Sequence, residues 1–167
     1  MRKLSIQILF ILICLTLVSI FIGASGDQNS QPILYNHKIH VDEADLTCLD
    51  CHQNANILAR ATIPNISICG DCHDDIESEN TEEQKVAEYV INEASIPWVQ
   101  VHNVPDHAYF SHRRHVELAQ IECTDCHGDV SQMERPFIDA FVEIEMEWCM
   151  DCHEQRNVTN DCYACHR

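Results

Sequence analysis

Glycine is almost absent from this chain, with four residues in 167, which excludes a Gly-rich flexible or repetitive polypeptide. Basic charge is scarce too. Ten Lys and Arg stand against 27 Asp and Glu, for a formal net charge of -17 at pH 7. No basic face is available to neutralise phosphates, so nucleic acid is excluded as a partner. The acidic balance reads first as a solvated surface and second as a field that steers a basic partner. Apolar mass is limited as well. Residues 27–167 suffice for one compact domain with a modest core, and chains of this size usually need disulfides, metals or cofactors as staples. What the chain holds in excess is cysteine and histidine, eleven of each.

Met1-Arg2-Lys3 precedes an uncharged apolar run from Leu4 to Ile22, the pattern of an export signal or signal anchor. The run is longer than the roughly 7–15 apolar residues of a cleavable signal and close to the roughly 20 that span a bilayer. Residues 1–25 are therefore expected to be a transmembrane helix, with Gly23-Ala24-Ser25 as a cleavage site in the alternative. Arg2 and Lys3 would stay inside, placing the rest of the chain on the outer face. Cys14 lies within the run as a small apolar residue.

The other ten cysteines form five copies of Cys-x-x-Cys-His: Cys48/Cys51/His52, Cys69/Cys72/His73, Cys123/Cys126/His127, Cys149/Cys152/His153 and Cys162/Cys165/His166. This is the attachment signature of c-type haem. Two thiols in one helix-like turn reach the two vinyl groups of one porphyrin, and the next residue is brought beneath the iron as proximal ligand. Zinc sites, redox dithiols and disulfide frameworks also use paired cysteines. None of them requires a histidine after every pair. Five covalent haems are expected, with attachment outside the cytoplasm in agreement with the export segment.

Six histidines remain. His37 and His40 in Tyr35-Asn-His-Lys-Ile-His-Val41 match His112 and His115 in Phe110-Ser-His-Arg-Arg-His-Val116, and each pair precedes its next haem motif by the same interval. The unit of His-x-x-His followed by two haem motifs thus occurs twice, a duplicated dihaem module with one motif added at the end. Histidines three apart on one turn can face opposite ways and ligate two different irons. Tyr35 or Phe110 would pack on a porphyrin edge or in an ordinary core. Four distal ligands come from the pairs, and His102 or His107 supplies the fifth, His102 having the more apolar neighbours. Met133 is the best-placed methionine alternative and would raise the potential. If every iron has two protein ligands, none is open to substrate, and the chain conducts electrons without chemistry of its own.

The expected fold is a multihaem cytochrome c of few short helices and irregular loops around stacked haems, with little or no sheet. The expected divisions are a first dihaem module at 31–73, an acidic linker at 74–101, a second module at 102–153 and the fifth site at 154–167. The linker carries a helix opened by the capping box Thr81-Glu-Glu-Gln84 and is expected at the surface. Ile63, Ile66 and Ile68 are expected to line a haem.

The paired histidines resemble those of class III multihaem cytochromes c. The stretch from Pro97-Trp98 through His102, Pro105-Asp106 and Tyr109-Phe110 to Val116, with Cys126-His127-Gly128 and Met146-Glu-Trp148, resembles the pentahaem subunit of alternative complex III. Glu147 departs from the glycine usual there. The resemblance implies an electron-transfer subunit on the periplasmic side of a bacterial inner-membrane complex. Its neighbours would be iron–sulfur and quinone-binding membrane subunits, with a cytochrome c or terminal oxidase as the other partner. The resemblance favours His102 over His107. Related subunits serve quinone-reducing complexes, so it leaves the direction of flow open. A free periplasmic shuttle and a small reductase with one open haem are the competing readings.

Overall fold

Short polar side chains start most of the helical turns of this protein. The computed structural model describes residues 31–75 and 77–166, so the helix expected over 1–25 lies outside the described residues. Asn36 caps α1 (His37–Asp42) by accepting the Ile39 N–H at 3.1 Å. Asp50 holds the Thr47 N–H and hydroxyl, each at 2.7 Å, at the start of α2 (Cys48–Cys51). Asn65 caps α3 (Ile66–Gly70), Asn80 caps α4 (Thr81–Ile91) and Asp161 caps α7 (Cys162–Cys165). Each cap satisfies an amide that the first turn leaves without a partner. Between them lie a π-helical turn, Arg114–Leu118, then α5 (Cys123–His127), a 3-10 turn at Val130–Gln132 and α6 (Met146–Gln155).

Among the described residues there is no sheet, only an isolated antiparallel bridge between Ala108 and His166. No described helix is long and apolar enough to cross a membrane.

The sequence repeat is a structural repeat. Asp45 and Gln120, equivalent in the two modules, both end the distal-histidine turn in the left-handed region, at φ 55° and 51°. The Lys38 N–H donates to the Met133 carbonyl at 3.1 Å, and the equivalent Arg113 N–H donates to the equivalent Leu58 carbonyl at 3.0 Å. Each module thus docks its distal-histidine turn on the loop after the other module's first haem motif, through main-chain bonds. A Lys38–Glu134 ion pair at 3.7 Å adds little, because both partners are exposed.

Two expectations for the linker are corrected. The helix begins where expected, but its cap is Asn80, which accepts the Glu82 N–H at 2.9 Å, while Gln84 donates past the cap to the Ser78 carbonyl. Asn is the stronger capping residue and stands one position earlier. Nor is the helix merely superficial. Ala87 is fully buried, a Cβ on Gly70 would lie 3.0 Å from Val90, and Glu82 accepts the Leu34 N–H at 2.7 Å. The linker helix packs on the second Cys-x-x-Cys-His turn.

Candidate haem sites

All five Cys-x-x-Cys-His motifs fold as one helical turn. The histidine N–H donates back to the first cysteine's carbonyl at His52 (2.8 Å), His73 (2.9 Å) and His166 (2.8 Å), and the other two motifs lie inside α5 and α6. The turn brings both thiols and the imidazole to one side of the backbone, as spacing in a helix requires. None of the ten described cysteines is paired in a disulfide. Burial raises the pKa of Cys51, Cys69, Cys123, Cys126 and Cys149. No group of three or more His, Cys, Asp or Glu among the described residues could hold a bare metal ion.

Several imidazoles are held through Nδ1. His40 and His115 turn Nδ1 toward the carbonyls of Asn36 and Ser111, both at 2.8 Å, and His153 turns Nδ1 toward Thr159 at 2.8 Å. Such a bond fixes the ring and leaves Nε2 to ligate. Burial, with the nearby His52 and His40, lowers His37 to about 4. Burial, with His102, His112 and His52, lowers His127 to about 4 as well. Both rings are therefore neutral at pH 7, the form that binds metal.

Ring geometry sorts the histidines. Two imidazoles that share one iron have centres on the order of 6 Å apart, because each ligating nitrogen sits roughly 2 Å from a first-row metal. His40 and His73 are 6.0 Å apart, His112 and His127 6.4 Å, and His115 and His153 6.1 Å. His107, which local polarity sets aside, stands 5.5 Å from His166 with its plane tilted by 15°. His102 meets His127 edge-on at 4.6 Å. The aromatic of each repeat packs on its own histidines. Tyr35 stacks on His40 at 4.5 Å and meets His37 edge-on at 4.6 Å; Phe110 repeats this on His115 and His112 at 4.6 and 4.9 Å.

The motifs adjoin one another. Beyond burial, Cys69 is raised by the neighbouring Cys51, Cys51 by Asp50, Cys48 and Cys72, and Cys123 by Cys48. Cys126 is raised by Cys152 and Cys149, and Cys149 by Cys165. The spatial order is therefore 69–73, 48–52, 123–127, 149–153, 162–166.

These surroundings fit a porphyrin. Among the described hydrophobic residues, only Ile33, Ala55 and Ala87 are buried, while Leu49, Ile57, Leu58, Ile63, Leu118 and Phe141 stay exposed. A cleft of about 500 Å³ opens beside Cys51, lined by Ile63, Ile66, Ile68, Pro97 and Trp98, the apolar patch singled out in the sequence. Gly128, next to His127, sits at φ +67°, and a Cβ there would come within 2.7 Å of the Phe141 ring. Gly128→Ala is expected to cost about 1–3 kcal/mol through backbone strain and the displaced ring. A lowered apparent Tm of the haem-loaded protein would register this, and an unchanged Tm would refute it.

The chain matches a family model described as cytochrome c7 and related cytochrome c over residues 33–88 and 108–167. It is 30% identical over 164 residues to the menaquinone reductase, multiheme cytochrome c subunit, of Nitratidesulfovibrio vulgaris, covering 84% of this chain and 78% of that protein. Residues 89–107, with His102 and His107, fall between the two matched stretches.

Proposed function

This chain belongs to the family of cytochrome c7 and related cytochromes c, and from that premise we propose that it conducts electrons along five covalent haems as a subunit of a membrane quinone-linked oxidoreductase. Electron transfer through haem c is the family's business. The haem count, the complex and the ligands are the proposal.

The observation that carries it is the unbroken spatial order of the five Cys-x-x-Cys-His turns. Cysteines 48/51, 69/72, 123/126, 149/152 and 162/165 hold the porphyrins by thioether bonds, and His52, His73, His127, His153 and His166 are the proximal ligands. His40, His112 and His115 stand opposite His73, His127 and His153 at bis-imidazole spacing. His37 occupies in its module the place of His112, and so pairs with His52. The haem c groups would supply one-electron carriers, and the chain's residues bind, orient and shield them. Irons ligated on both sides leave no open position, which supports a conductor and argues against a small reductase.

The relative named as a menaquinone reductase subunit supports a quinone-linked complex with iron–sulfur and quinone-binding membrane partners, and the alternative complex III reading is one member of that class. A periplasmic position, with residues 1–25 as inner-membrane anchor, completes the proposal. Gentle solubilisation of native membranes, followed by identification of every protein in the haem-staining native band, tests it. Co-migration with iron–sulfur and polytopic subunits is expected. A haem protein that runs alone or stays in the soluble fraction would make it a free shuttle.

A further inference from the structure

We infer that His107 is the axial partner of His166 on the iron held at the C-terminal turn, and that His102 holds no iron. The inference rests on the five-haem reading above and assigns the one site that reading leaves open.

Six histidines compete for five distal positions, and the repeat accounts for four of them. In each module the first histidine of the His-x-x-His turn goes with the first haem motif and the second with the second. His166 belongs to neither module, so its partner must come from His102 or His107. Ring geometry separates them. His107 lies 5.5 Å from His166 with the two planes 15° apart, just below the 6.0–6.4 Å of the other three pairs, so a small opening of the gap gives iron-sharing distance.

The backbone just after His107 holds this approach in place. Ala108 bridges His166, the Tyr109 N–H donates to the Cys165 carbonyl at 2.6 Å, and the Ala108 N–H donates to Pro105 at 2.9 Å, closing the loop that carries His107. These bonds follow immediately after His107 and fix it against the fifth Cys-x-x-Cys-His turn.

His102 is placed otherwise. Its ring centre is 4.6 Å from that of His127, at 79° to it, too close for an iron between them by the roughly 6 Å criterion. His127 already faces His112. Phe137 closes on His102 at 5.5 Å, and its Nε2 is buried without a hydrogen-bond partner. The loop that carries His107 is therefore the distal arm of the last haem, which turns an appended motif into an integral one.

The test compares His107→Ala and His102→Ala in the full haem-loaded chain. Readouts are total haem by pyridine haemochrome, spin state by electron paramagnetic resonance, and carbon monoxide binding after reduction. Thioether attachment does not need a distal ligand, so both variants should keep wild-type haem content. His107→Ala should convert about one fifth of the haem to a high-spin, carbon monoxide-binding form, His107→Met should restore six-coordination there, and His102→Ala should stay low-spin throughout. High-spin haem in His102→Ala with none in His107→Ala would overturn the assignment. A separate double variant, Cys162→Ala with Cys165→Ala, should lose about one fifth of the haem. Unchanged content would show that no haem sits at that turn, and the five-haem reading itself would fall.

Discussion

Chain in which all five cysteine pairs are replaced by alanine is expected to show no cooperative unfolding transition. The reason is the near absence of a protein core. Of the described side chains, Ile33 is the one large residue fully buried, with Ala55 and Ala87 beside it. A buried side chain of that size contributes about 1.5–3 kcal/mol, comparable with the backbone cost of ordering one or two residues at about 1–2 kcal/mol each. Helices of four to six residues such as α1 and α2 cannot stand alone either, since isolated helices below about 12–15 residues are marginal in water. The porphyrins must supply the missing apolar contacts. Circular dichroism and calorimetry on haem-loaded and haem-free chain decide the matter. A sharp calorimetric transition in the haem-free protein would show that the polypeptide folds without its cofactors.

The five helical turns proposed to attach haem were legible in the sequence because their geometry is local. Two thiols and a histidine within one helical turn need nothing from the rest of the fold, and the motif carries its own geometry. The duplication was legible for the same reason, down to the aromatic before each histidine pair. The distal pairings were not. They depend on how the modules close on each other, and that closure runs through the main chain, Lys38 N–H to Met133 and Arg113 N–H to Leu58. Bonds of that kind leave no mark on residue type. Local polarity favours His102 over His107, while tertiary placement sets His102 edge-on against His127 and His107 5.5 Å from His166 with near-parallel planes. The cap of α4 failed for a smaller reason: Thr81 and Gln84 match a capping box, but Asn80 competes for the same amide and wins.

The proposed order of sites makes the central one, at 123–127, the place where a change should be felt most. His112→Met is expected to raise one potential, since a methionine axial ligand favours the reduced iron. Axial ligands tune haem potentials over about 0.8 V in all, so a rise on the order of 0.1 V is a modest share of that range. At 59 mV per tenfold for one electron, a rise of about 0.12 V makes onward escape from that site about 100-fold less favourable. The middle of the path becomes a sink. Spectroelectrochemical titration should show a single component moved upward, and electron passage from one end of the chain to the other should slow by about the same factor. His107→Met provides the contrast, placing the same ligand at the end of the order. It should raise one potential equally while leaving exchange among the other four sites intact. If His112→Met moved no potential, His112 would not be the ligand opposite His127. If it raised a potential without slowing passage, the path would bypass that haem, and the linear order drawn from the adjoining thiols would be wrong.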